Sequence, residues 1–156
     1  MTTEPLSANL VERYLRTRGR RYFRGQHDAE FFFVVNTHPR RLHVHLEASP
    51  AHREAFAIRV TPACFFPATD YARLAQFADR WNARNQAVTA IVHGSSDPRR
   101  VVIEAHRCQW FSEPVRFEDF ADAADRTIAA AIDLFAALTR VVQLSSATQP
   151  LLLDAG

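Results

Sequence analysis

The chain has no lysine: all 19 of its basic residues are arginine. Together with the abundance of alanine, this is the composition a GC-rich genome imposes. An arginine here therefore carries no argument merely by not being lysine. Glycine is scarce too, at 4 in 156 residues, which leaves no glycine-rich loop to cradle a phosphate. The two cysteines, Cys64 and Cys108, form neither a CxxC pair nor a zinc-type spacing, and isolated thiols of this kind are most often buried. No apolar run is long enough to span a bilayer; the best, Ile128 to Leu138, is short and contains Asp133. Glu4 stands before Leu6 where a signal peptide would be basic and then apolar, so a cytoplasmic location is expected.

What remains is ordinary for one globular domain: 47% hydrophobic and 23% charged residues over 156 positions. The net charge of +2 is small but uneven. Arg13, Arg16, Arg18, Arg20, Arg21 and Arg24 crowd one stretch, whereas Glu118, Asp119, Asp122, Asp125 and Asp133 cluster late. Such a basic patch can meet nucleic acid or an acidic partner. A solvated helix end, favoured by the dipole at its C-terminus, explains it more simply.

Leu6 to Arg18 has helical spacing, with Leu6, Leu10, Tyr14, Val11 and Leu15 on one face, Ser7 as cap and Gly19 as terminator. Arg21 to Arg24 is a short, weak strand. Glu30 to Asn36 is apolar on both faces and is expected as a central strand covered on both sides. Arg41 to Ala48 alternates: Leu42, Val44 and Leu46 one way, His43, His45 and Glu47 the other, so one face is expected open or partner-facing. Glu54 to Thr61 follows, and the short linkers predict an antiparallel meander. Thr69 or Asp70 caps a second helix to about Arg84, with Tyr71, Leu74, Phe77, Ala78 and Trp81 as its stripe and Asn85 as terminator. Ala87 to His93 and Val101 to Trp110 are two more strands around a turn-rich loop. Glu113-Pro114 breaks the chain before a long helix, Phe117 to Val142, whose acidic first turn suits the helix dipole. Residues 143–156 read as a loose tail. The expected fold is α+β, with three helices and an antiparallel sheet of about five strands in the order α-β-β-β-α-β-β-α.

The helix end Leu74 to Gln86, with Trp81-Asn82 and Asn85 in an Asn-x-x-Asn-like pattern, precedes the hairpin Val88 to Trp110 and the helix Phe117 to Leu138. In order and length these segments resemble the YbjN family of bacterial proteins, which share the fold of type III secretion chaperones. The resemblance spans about Leu6 to Leu138. The family's Asp/Gly-rich turn before the central strand is reduced here to Gly25-Gln26-His27-Asp28. Asn85 also has a plain structural reading, since asparagine tolerates the left-handed cap conformation. The resemblance implies a non-enzymatic regulator or chaperone-like protein that holds a partner polypeptide, and a homodimer.

Chemistry is thinly represented. His43 and His45 share one strand face, and Glu104 and His106 share another; as neighbours they could bind zinc or a similar ion, and otherwise they are polar residues on a solvated sheet. A cysteine nucleophile needs an activating base. Cys108 has only His106 nearby along its strand, and Cys64 lies beside Phe65 and Phe66, an apolar setting that leaves a thiol inert. The carboxylates Glu118, Asp119 and Asp122 suffice as a helix start. No enzyme activity, cofactor or metal is therefore expected. The aromatics at element ends are harder to bury, which makes Phe65, Phe66, Trp81, Asn82, Asn85, Trp110 and Phe111 the expected partner-binding residues. Two rivals remain: a metal or small-molecule site built on His43, His45, Glu104 and His106, and weak nucleic-acid binding by Arg13 to Arg24 with Tyr14, Tyr22 and Phe23 stacking.

Overall fold

A computed structural model of the chain describes residues 2–38, 40–112 and 114–146, with side-chain surroundings through residue 142. The expected tail beyond residue 146 and Glu113 of the Glu113-Pro114 break lie outside the described residues. The order is β1 (Thr3–Glu4), α1 (Ala8–Thr17), β2 (Tyr22–Arg24), β3 (Glu30–Asn36), β4 (Arg41–Ala48), β5 (Ala55–Pro62) and β6 (Phe66–Pro67). A single 3-10 turn, Ala68–Asp70, leads into α2 (Tyr71–Arg84), followed by β7 (Thr89–Gly94), β8 (Arg100–Trp110), β9 (Val115–Arg116) and α3 (Phe117–Ser146). The α+β class with three helices holds. The main sheet has seven strands among the described residues, more than the five expected, and β1 pairs with β9 in a separate two-stranded ribbon. The extra strands are two or three residues long, too short to leave a periodic signal.

Every pairing is antiparallel. The main sheet runs β2, β3, β4, β5 and β8. Val101 of β8 pairs with Phe66 of β6 and also with Gly94 of β7, so β6 continues the β5 side of β8 while β7 lies on the far side. Alternation then sorts the side chains. Phe31, Phe33, Leu42, Val44, Leu46, Ile58, Val60, Ile103 and Ala105 are buried on one face, against α1 and α3. Phe120 of α3 is the hub, with the rings of Phe56, Tyr14 and Phe111 at 4.8, 5.7 and 5.7 Å.

The caps follow the residue chemistry. Ser7 accepts from the Leu10 N–H, and Gly19, at φ +65°, lets its own N–H reach Arg16 O while the Arg20 N–H reaches Leu15 O. This is the Schellman pattern, in which a glycine takes the left-handed residue at no steric cost. Asn85 departs from expectation: it is extended, not left-handed, and closes α2 by giving both its backbone and its side-chain N–H to Trp81 O. Asp70 stands at the N-cap of α2 but makes no side-chain cap bond. The buried part of α2 reduces to Leu74 and Ala78, because that helix packs beside β7 at the end of the sheet, not across its face.

Candidate functional site

Among the described residues the opposite face of the sheet carries no helix. Cross-strand register places Phe23, Phe32, His45, Arg59, His106 and Thr89 in one row over six strands. Val34, His43 and Thr61 form the next row, and Glu104 and Ile91 face each other alongside. Strand β3 is thus covered on one face only, contrary to its apolar pattern: Phe32 and Val34 are 40% and 39% exposed, and Phe23 is 69% exposed. These three, with His43, line a shallow apolar hollow. The strand reads as doubly buried because Phe-Phe-Phe-Val-Val gives no alternation, so period cannot tell an open apolar face from a covered one.

Polar groups fill the middle of this face. The ring of His106 is held below the ordinary histidine range by burial and by the charge of Arg59, against the pull of Glu104. Glu104 lies 3.6 Å from His93 of β7. Strand β5 separates β4 from β8, so His43 and His45 stand two strand spacings, about 10 Å, from His106. The tetrad His43, His45, Glu104 and His106 therefore forms no ligand cage; Arg59 and Thr61 stand between its halves.

His45 instead has different neighbours. Its Nε2 is 2.9 Å from Glu30 Oε2 and 3.7 Å from Glu47 Oε2. Glu30 and Glu47 are directly opposed on β3 and β4. His27, in the turn before β3, places Nε2 at 3.6 Å from Glu47 Oε2. Donor atoms of His27, Glu30 and Glu47 all lie within 4.8 Å of one another. The hydrogen bond from His45 holds the Glu30 carboxyl below the usual range, helped by the Gln26 N–H at 2.7 Å. Gly25 makes room for this arrangement: a Cβ there would fall 2.0 Å from Glu30 Oε1. Of this cluster the sequence reading singled out only His45; the signal available was Glu-x-Phe facing His-x-Glu across a hairpin, which needs the register.

The expected partner-binding residues fall in three separate places. Phe65 is 55% exposed beside Arg100, whereas Phe66 next to it is buried in the core. Trp110, 60% exposed, is at the other end of β8, near His52, and Phe111 turns inward onto Phe120. Ten residue steps of β8 put roughly 33 Å between the two ends. Trp81 and Asn82 serve β7. Trp81 Nε1 donates to Val88 O at 3.1 Å. Asn82 Oδ1 accepts from the Ala90 N–H at 2.8 Å, and its Nδ2 donates to Ala90 O at 2.9 Å. Asn82 thus satisfies one residue of the free edge of β7 as a neighbouring strand would. Phe66 is a correction to the expected set, since its burial removes it from any contact surface. Phe111 is partly buried.

The arginine cluster is largely spent within the chain. Arg13 pairs with Glu4, Arg16 and Arg24 share Glu12, and Arg18 holds Asp125 at 2.7 Å. Arg20 lies over the Phe33 ring and Arg24 over Phe31. Tyr14 is buried with its hydroxyl on Asp125, so it is no stacking platform, and burial followed by that bond raises its pKa. Cys64 is not in a purely apolar setting: Arg40 Nη1 lies 2.7 Å from its sulfur. Cys108 is exposed on the open face, not buried.

No protein-family model and no curated protein matches this sequence. Among solved structures, that of E. coli YbjN, a proposed transcription regulator, superposes with a TM-score of 0.66 over 85% of this chain and 91% of that one, at 13% identity. The fold is that of YbjN. At this identity the likeness speaks for the fold alone, an antiparallel sheet with helices packed against it. No helix among the described residues is long and apolar enough to cross a membrane.

Proposed function

We propose that the chain is a non-enzymatic binding domain that takes a partner polypeptide on the open face of its sheet. The observation that carries this reading is the exposed aromatic and aliphatic group of Phe23, Phe32 and Val34, on well-paired strands with no layer above them among the described residues. Exposed large apolar side chains gathered on one face favour a contact surface over solvent. Arg59, exposed beside them, would select a segment that offers apolar anchors and an acidic group. YbjN being a proposed regulator agrees with a role by binding. Homodimerisation belongs to the same proposal, with a second copy as one possible occupant. Phe65 and Trp110 are secondary contact points at the ends of β8. The ion pairs and stacking of Arg13 to Arg24 weigh against the nucleic-acid reading.

A photo-crosslinking residue at position 32, compared with one at the exposed Asp133 on α3, tests the reading in living cells. A discrete adduct at position 32 alone, lost in Phe23→Ser, is the expected result. Light scattering of the purified chain tells a second copy from a different partner. Equal adducts at both positions, or none at position 32, would sink the proposal.

A further inference from the structure

We infer that His27, Glu30, His45 and Glu47 form a binding site for a zinc-class divalent cation. This site borders the apolar contact surface, where the His45 ring stacks on Phe32, and it keeps only His45 of the tetrad the sequence suggested. Two imidazoles and two carboxylates are a donor set that suits zinc, and tetrahedral bonds of about 2.0–2.1 Å put neighbouring ligand atoms roughly 3.3–3.5 Å apart. The separations of 2.9, 3.6 and 3.7 Å between the histidine Nε2 atoms and the two carboxylates bracket that spacing. Donor atoms of His27, Glu30 and Glu47 already lie within 4.8 Å of one another, and His45 approaches the two carboxylates from its own strand.

Three further observations point to a cation. First, Glu30 and Glu47 face each other directly across β3 and β4, where like charges are unfavourable unless something positive lies between them. Second, His27 Nε2 is shielded from solvent and has no hydrogen-bond partner among the described residues, although it is aimed at Glu47. Third, the carboxylate is positioned from behind. The Gln26 N–H holds Glu30 Oε1 and leaves Oε2 to face the centre, and Gly25 alone permits this approach. Outer contacts of this type fix ligand orientation in metal sites.

Loading the ion has a proton balance. His45 Nε2 must give up any proton it shares with Glu30. A metal on His27 Nε2 moves the ring proton to Nδ1, which forfeits the long 3.4 Å contact from the Ala29 N–H. Binding therefore releases protons and weakens as pH falls.

Tag-free full-length protein, stripped with a chelator and titrated with zinc chloride by calorimetry, is the test. One equivalent of zinc per chain is expected, with a rise in Tm. Glu30→Gln, which keeps the shape of the side chain, should weaken zinc at least about 10-fold, and Gly25→Ala should weaken it also, by displacing Glu30 while every ligand stays. His43→Ala and His106→Ala should leave affinity unchanged. Absence of stoichiometric zinc binding in the wild-type protein would overturn the proposal. Equal losses in His43→Ala and Glu30→Gln would overturn the ligand assignment, and a preference for calcium over zinc would overturn the class of ion.

Discussion

The two faces of one sheet divide the work of this protein. On the covered face, Phe31, Phe33, Leu42, Val44 and Leu46 meet α1 and α3 and are essentially solvent-free. On the open face the alternate residues of the same two strands are Phe32, Val34, His43, His45 and Glu47. Stability and chemistry are thus written on one stretch of chain with a period of two.

Substitution of adjacent phenylalanines is the sharpest way to break this comparison. Phe33→Ala should cost about 3–5 kcal/mol, the range for emptying a core aromatic site. Phe32→Ala, one residue away, should cost clearly less, about 1–2 kcal/mol, because its ring is already 40% exposed and its main contact is the stacked His45 ring. Urea unfolding of the two variants measures both, and similar costs would mean that the open face is covered after all.

Next in size is the edge lock. Asn82→Ala strips the Ala90 N–H and C=O of their partners, and two such losses should cost about 1–3 kcal/mol. Amide exchange at Ala90 should quicken while the β3–β4 hairpin stays protected. Uniform loss of protection would deny Asn82 a local role.

The smallest effect concerns pH. Burial raises the pKa of Asp125, but the hydrogen bonds from Arg18 and Tyr14 outweigh it and leave the carboxyl below its ordinary value. A group depressed in the folded state adds stability above its unfolded pKa, near 3.9, and loses that share as pH falls through the folded value. Wild-type stability should therefore decline more steeply below about pH 4 than that of Asp125→Asn. The side chain of Asp125 is 43% exposed, so solvent screening keeps the difference small. Identical acid limbs in the two proteins would show that the Arg18–Asp125–Tyr14 contact stabilises nothing.

Much of the fold was legible because its signals are local. The apolar spacing of α1 and α3, the Ser7 cap, the Gly19 stop and the alternation in Arg41 to Ala48 each lie within a turn or a strand, and the structure keeps them. The long helix runs to Ser146, past the expected Val142. Legibility failed where one segment's meaning depends on a distant one. Asn82 reads as a helix-end residue and is in fact the neighbour of Ala90. Arg13 to Arg24 reads as free charge, but Glu4, Glu12 and Asp125 take up much of it.

By itself, then, the sequence determined the α+β class, the order of its main elements and an open face on β4, since propensity, capping and period act through neighbours along the chain. Tertiary structure decided which strands adjoin. Register is set by hairpin geometry and by burial of one face, so only folding could part His43 and His45 from His106, and bring His45 to Glu30, Glu47 and the turn that carries His27.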